Sequence, residues 1–104
     1  MSFKTEPTGY IKTAISDLQG SWENLRNAVN EHFGFPDSDK LMFHIHEGMS
    51  WESVRNLNKM KDTLLLVRNI AQQGKAPDEV MYWLEDVQES FELAVQATEE
   101  DRAE

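Results

Sequence analysis

The chain has 104 residues, of which 28% are charged and 39% hydrophobic, and its formal net charge is −9 at pH 7. This length suits one domain with a modest core, and the composition is typical of a folded chain rather than a disordered one. The absence of cysteine excludes disulfides and thiol chemistry, and the acidic balance argues against direct binding to nucleic acid or to an anionic membrane.

The first eight residues lack the apolar core of a secretory signal, and we interpret them as a loose arm. The longest aliphatic run, 64–67, is far too short to cross a bilayer. We therefore expect one helical domain, 1–104, in the cytoplasm, with no membrane partner and with flexible ends at 1–8 and 100–104.

Apolar residues at every third or fourth position predict a first helix from about Gly9. Gly34 and Pro36 are expected to end it, and Gly20 falls on its outer face. The predicted buried stripe consists of Ile11, Ile15, Leu18, Trp22, Leu25, Val29 and then His32 or Phe33.

A short second helix is predicted after Asp37 or Ser38, either of which can cap it, with Gly48 as its end. Its core residues are expected to be Leu41, Met42 and Ile45. The segment 41–46 also suits a strand, but the sequence offers no second strand to pair with it, so we favour a helix.

Ser50 is predicted to cap a third helix, which Gly74 ends. Its predicted stripe consists of Val54, Leu57, Met60, Leu64, Val67 and Ala71. Leu65, Leu66 and Ile70 widen this apolar surface, which is typical of a helix that lies centrally in a bundle or forms a dimer contact.

Pro77 is predicted to open the last helix, whose stripe consists of Val80, Leu84, Val87, Phe91, Ala94 and Thr98. Ten of the 19 acidic residues lie in 77–104 against one basic residue, so this segment carries −9 and the rest of the chain sums to zero. The short connection 74–77 predicts an antiparallel hairpin with the third helix, in which Lys61 and Arg68 pair with acids of the last helix. The predicted fold class is all-α, a small bundle of three long helices and one short helix.

The outer face of the last helix is the candidate partner-binding site. Its acids are spaced i,i+3 and i,i+4 with no base between them, which costs helix stability, and two apolar residues lie among them. The face is either a solvated surface that maintains solubility or a binding surface for a basic partner. The candidate binding residues are Tyr82, Glu85, Asp86, Glu89, Glu92, Leu93, Glu99 and Glu100.

Catalytic and metal-binding patterns are weak in this sequence. It contains no nucleophile elbow, phosphate-binding glycine loop or HExxH motif, so we expect neither an enzyme nor a cofactor. His44, His46 and Glu47, with His32 as a third imidazole, are suitable metal ligands. However, residues at i and i+2 point about 200° apart on a helix, so we assign no metal site.

Three hypotheses follow from these patterns. The first is a small acidic helical protein that docks on a basic surface of another protein, such as nucleic-acid-handling machinery, with inhibition by nucleic-acid mimicry as one outcome. The second is a structural or regulatory homodimer formed through Leu65, Leu66 and Ile70, whose acidic face only solubilises it. The third is a histidine metal-binding protein.

Overall fold

A computed structural model of the protein contains four α-helices: α1 (Gly9–Glu31), α2 (Ser38–Ser53), α3 (Leu57–Gln73) and α4 (Asp78–Ala103). The structure describes residues 9–53 and 56–103, with the side chains of 13–51 and 56–98. These residues contain no strand, so the all-α prediction is confirmed for the described chain, including 41–46, which lies in α2.

The packing of α1 against α4 forms the most extensive interface between helices. The two helices run antiparallel, because His32 at the end of α1 contacts Glu79 at the start of α4, while Ser21 contacts Ser90 further along. The central parts of their predicted stripes are buried, whereas Ile15 is half-buried at the edge of the core and the side chain of Ile11 lies outside the described residues. The buried residues include Leu18, Trp22, Leu25 and Val29 of α1 and Val80, Leu84, Val87, Phe91 and Ala94 of α4.

Each of these stripes ends differently from its prediction. In α1 the buried stripe stops at Val29, and both His32 and Phe33 are exposed. In α4 the last buried position is Ala97, while Thr98 is half-buried and its hydroxyl donates a hydrogen bond to the carbonyl of Ala94 at 2.9 Å.

The second helix is longer than the sequence predicts. It spans 16 residues, close to the 17 of α3, so the prediction of three long helices and one short helix is not confirmed. Gly48 does not end α2 but lies buried inside it, where a Cβ atom would come 2.5 Å from Cη2 of Trp22. The glycine therefore allows α2 to approach the indole ring of α1 closely.

The start of α3 differs accordingly. Ser50 lies within α2, where its hydroxyl donates a hydrogen bond to the carbonyl of His46 at 3.2 Å. The cap of α3 is Asn56, whose side chain accepts a hydrogen bond from the backbone N–H of Lys59 at 3.2 Å. The predicted core positions Met60, Leu64, Val67 and Ala71 are buried. Leu57 and Ile70 pack at the edge of the core, and the predicted position Val54 lies outside the described residues.

The predicted hairpin of α3 and α4 forms only a minor interface of the bundle. Contacts between α2 and α3 form the second largest interface, and those between α3 and α4 form the smallest. Among the described side chains no ion pair within 4.0 Å joins these two helices, so the pairing expected for Lys61 and Arg68 is absent. Burial decides the packing, because a buried Leu or Phe stabilises by about 1.5–3 kcal/mol whereas an exposed ion pair contributes about 0–1 kcal/mol.

The predicted flexibility of 1–8 and 100–104 stays a prediction. Residues 1–8 and Glu104 lie outside the described part of the chain, and α4 is helical through Ala103. No described helix combines the length and the apolar composition that crossing a membrane requires.

Candidate docking groove

Most described residues of the predicted outer face of α4 are exposed to solvent. Glu85, Glu89 and Glu92 are exposed, and the apolar side chains of Tyr82 and Leu93 are 63% and 51% exposed. The ring of Tyr82 packs edge-to-face against Trp83, which lies at the edge of the core, with centroids 4.9 Å apart. This contact restrains an exposed aromatic side chain beside the carboxylates. The side chains of the other predicted site residues, Glu99 and Glu100, lie outside the described residues.

Asp86 differs from the other predicted site residues because it has a partner inside the protein. The hydroxyl of Ser21 on α1 donates a hydrogen bond to Oδ2 of Asp86 at 2.6 Å, and the Ser21 and Ser90 hydroxyls lie 2.9 Å apart. Both serines are buried, and a hydrogen bond to a carboxylate is stronger than one between neutral groups. Asp86 therefore supports the interface between α1 and α4, and its half-buried carboxylate is already partly satisfied.

A groove of about 460 Å³ lies between α3 and α4 and includes the three exposed glutamates. We call it the α3–α4 groove. Arg68 and Gln72 line its α3 side, and Met81 and Leu84, which belong to the core or pack against it, provide apolar lining on the α4 side. The full lining consists of Arg68, Gln72, Met81, Leu84, Glu85, Gln88, Glu89 and Glu92.

The lining of the α3–α4 groove is acidic, with three carboxylates on the α4 wall and one guanidinium, that of Arg68, on the α3 wall. None of these four groups takes part in an ion pair within 4.0 Å among the described side chains. The spacing of Glu85, Glu89 and Glu92 distributes the negative charge along about 10 Å of helix, at 1.5 Å per residue. The groove therefore offers a line of carboxylates to a cationic ligand from outside.

Sequence reasoning identified the three glutamates but missed the groove. Met81, Gln88 and Arg68 come from two helices, and their proximity depends on how far apart α3 and α4 pack, which no single helical pattern encodes. One signal was present in the sequence. Met81 precedes Glu85 by four residues, so the two side chains share one side of the helix.

The three histidines lie in different parts of the structure, as their partners show. Nδ1 of His44 lies 3.0 Å from Oε1 of Glu47, whereas Nε2 of His32 lies 2.7 Å from Oε1 of Glu79 on α4. His46 lines a second groove of about 480 Å³ between α1 and α2, with Arg26, Asn27, Asn30, Phe33 and Met42.

One group of three potential metal ligands occurs among the described residues, and it differs from the group of His32, His44, His46 and Glu47 considered in the sequence. It consists of Glu31, His32 and Glu79, whose ligand atoms lie within 4.8 Å of one another. All three residues are exposed to solvent. The ligands of a protein metal site are usually held in place by hydrogen bonds to surrounding protein groups, and exposed side chains have few such neighbours. We therefore assign no metal to this group.

No protein-family model, curated protein or solved structure matches the chain. The geometry and charge of α3 and α4 are therefore the features from which a function can be inferred.

Proposed function

We propose that this protein binds another protein, and that α4 docks on a basic surface of that partner. The observation that carries this proposal is the row of three exposed carboxylates, Glu85, Glu89 and Glu92, none of which pairs with a described base. Tyr82 and Leu93 are exposed on the same helix and supply apolar contact area. Protein–protein interfaces usually have a polar rim around apolar anchors, among which Tyr is enriched, and Tyr82 with the neighbouring carboxylates fits this arrangement.

The concentration of charge supports this reading. The segment 77–104 carries −9 while the rest of the chain is neutral, so the electrostatic potential is strongly asymmetric. Such a field accelerates the encounter with a basic partner, and salt weakens it because the Debye length is about 8 Å at physiological ionic strength. Like charges at i,i+3 and i,i+4 also destabilise the free helix by a few tenths of a kcal/mol per pair, about 0.2–0.5, and a basic partner relieves this repulsion.

The partner class that this chemistry fits is a nucleic-acid-handling protein, whose basic groove normally accepts phosphates. Carboxylates on α4 would occupy the same groove, and inhibition would follow from this competition. The protein is then a mimic of nucleic-acid charge and does not itself contact nucleic acid.

A homodimer is the second candidate, and one observation favours it. Leu65 and Leu66 of α3 are 51% and 40% exposed, so α3 presents an uncovered apolar surface. Net charge opposes self-association, because two copies that each carry −9 repel one another. A basic partner meets no such repulsion, and we therefore place the homodimer second.

The experiment compares two variants that remove equal charge. In the α4 variant Glu85, Glu89 and Glu92 become Gln, and in the matched control Asp17 and Asp39 become Asn while Glu23 becomes Gln. The control positions are also exposed but lie on α1 and α2. Proteins captured from a lysate of the source cell at low salt are identified, and the affinity of each purified partner is measured over a range of salt concentrations.

We expect the α4 variant to bind more weakly, with slower association and a shallower salt dependence, while the control retains the wild-type affinity. Equal loss in both variants would show that only overall charge matters. Unchanged affinity in the α4 variant would show that the acidic face only maintains solubility, and it would favour the homodimer.

A further inference from the structure

The shape of the α3–α4 groove limits what can occupy it. Although α3 and α4 are consecutive, their interface is the smallest between helices, and the space that remains is a concavity with apolar residues in its lining. Leu65 precedes Arg68 by three residues on α3, so it lies on the same side of that helix, and it is 51% exposed. Met81, which is half-buried, supplies the accessible apolar lining on the α4 side, whereas Leu84 is only 2% exposed and belongs to the core. Leu65 adds exposed apolar surface on the α3 side.

The charges on the two walls differ in sign. Glu85, Glu89 and Glu92 line the α4 wall, whereas Arg68 and Gln72 line the α3 wall. A bound segment must therefore present positive charge towards α4, neutral or acidic groups towards Arg68, and apolar groups towards the apolar lining. A segment with three distinct sides of this kind is an amphipathic one.

A helix meets these conditions better than an extended peptide. An extended peptide usually gains affinity by adding a strand to an open sheet edge, and the described part of this protein contains no sheet. The carboxylates of α4 repeat at i, i+4 and i+7, and a second helix lying beside α4 can repeat its basic residues at the same rise of about 1.5 Å per residue. Helices that dock in grooves use the same periodicity for their anchor residues.

We infer that the partner's binding element is a basic amphipathic helix that lies in the α3–α4 groove. Its apolar residues contact Met81 and the exposed Leu65, and its Lys or Arg residues pair with the glutamates of α4. This inference rests on the proposed function, and it moves the binding site from the outer face around Tyr82 and Leu93 to the side of α4 that faces α3. A second copy of the chain is a poorer occupant because its net charge is −9.

The probe is a synthetic peptide of Leu, Lys, Ala and Gln, about 18 residues long so that a helix can form. A scrambled peptide of the same composition keeps the charge but loses the apolar face. We expect the amphipathic peptide to bind about tenfold more tightly than the scrambled one, because only the amphipathic peptide can bury its apolar face. Equal affinity of the two peptides would overturn the inference, because charge alone would then explain binding.

Two variants with the same charge change locate the site. Gln88→Arg places a cation inside the α3–α4 groove, whereas Leu93→Arg places one on the exposed outer face of α4. We expect Gln88→Arg to weaken peptide binding by about tenfold and Leu93→Arg to have a much smaller effect, since only the first cation opposes the bound bases. The reverse order would overturn the inference. Circular dichroism establishes that both variants are folded.

Methyl NMR of the wild-type protein gives an independent readout that does not depend on how the variants fold. Met81 lines the α3–α4 groove, whereas Met42 lines the groove between α1 and α2. We expect the peptide to shift the Met81 methyl resonance and to leave that of Met42 unchanged. Shifts at Met42 alone, or at neither methionine, would place the peptide elsewhere.

The outcomes separate this inference from the proposed function. If a captured basic partner is sensitive to the Gln substitutions and to Leu93→Arg but not to Gln88→Arg, then α4 binds through its outer face and only the groove inference fails. If the partner is insensitive to every change on α4, both proposals fail.

Discussion

Alanine substitutions at two helix-interior glycines should change stability in opposite directions. Gly20 lies within α1 and Gly48 within α2. A Cβ atom added at Gly20 would meet nothing within 4 Å, whereas one added at Gly48 would lie 2.5 Å from Cη2 and 2.8 Å from Cζ2 of Trp22. The comparison therefore tests whether α2 packs closely against the indole ring of α1.

The magnitudes follow from two competing effects. Alanine is favoured over glycine in a helix interior by about 0.5–1 kcal/mol, and at Gly20 nothing opposes this gain. At Gly48 the added methyl group overpacks the core, which costs about 1–3 kcal/mol. We take the upper part of that range, because the Trp22 side chain is fully buried in the core. The net destabilisation by Gly48→Ala is then about 1–2 kcal/mol.

Thermal unfolding followed by circular dichroism measures both effects. For a domain of this size 1 kcal/mol corresponds to a change in Tm of about 4 °C or more. We expect Gly20→Ala to melt a few degrees above the wild type and Gly48→Ala to melt at least about 4 °C below it. A Gly48→Ala protein that melts at or above the wild-type temperature would refute the close contact with Trp22, and with it the position of α2.

Three further predictions concern the core, a buried hydrogen bond and self-association. Leu64→Ala should lower the free energy of unfolding by about 2–5 kcal/mol in chemical denaturation, because Leu64 is only 4% exposed, and a loss too small to measure would contradict its core position. Ser21→Ala should lower the free energy of unfolding by about 1–3 kcal/mol, because it removes the hydrogen bond to Asp86, whereas the same change at exposed Ser16 should have almost no effect. Equal effects of the two changes would show that the Ser21 hydroxyl does not stabilise the interface between α1 and α4. Replacing Leu65 and Leu66 together with Lys should preserve helicity, and the wild type should sediment as a 12.0 kDa monomer; a wild-type dimer that this change dissociates would support the homodimer.

The helices with long regular stripes could be predicted from the sequence, because their apolar periodicity corresponds directly to burial. In α1 and α4 the residues at the centres of the stripes, such as Trp22 and Val87, are fully buried. Periodicity alone does not determine where the stripes end. His32 and Thr98 continue the spacing, but both are polar, and other contacts satisfy them at the edge of the bundle.

The boundary between α2 and α3 could not be predicted from local signals. Gly48 and Ser50 are typical of a helix end followed by a new cap, and that pattern favoured a short second helix. A glycine inside a helix costs only about 1 kcal/mol, and the close packing against Trp22 that it permits offsets this cost. In the structure α2 continues to Ser53, and α3 begins at Leu57 after its cap residue Asn56.

The candidate site could be predicted in part. Charge and helical spacing identified Glu85, Glu89 and Glu92 as exposed residues, because these properties belong to one helix. The hydrogen bond from Ser21 to Asp86 and the groove that contains Arg68 depend on contacts between helices. The expectation that Arg68 pairs with acids of α4 was wrong, because weak surface ion pairs do not determine which helices pack together.

Photo-crosslinking to the natural partner tests the central claim most directly. Benzoylphenylalanine replaces Gln88 in the α3–α4 groove and, in a control, replaces Asn30 in the groove between α1 and α2. After irradiation at low and at high salt, the attached segment is identified by mass spectrometry. We predict crosslinks from position 88 to a Lys- and Arg-rich helical segment, lost at high salt and absent from position 30. Equal crosslinking from both positions, or an acidic or neutral segment at position 88, would contradict the account.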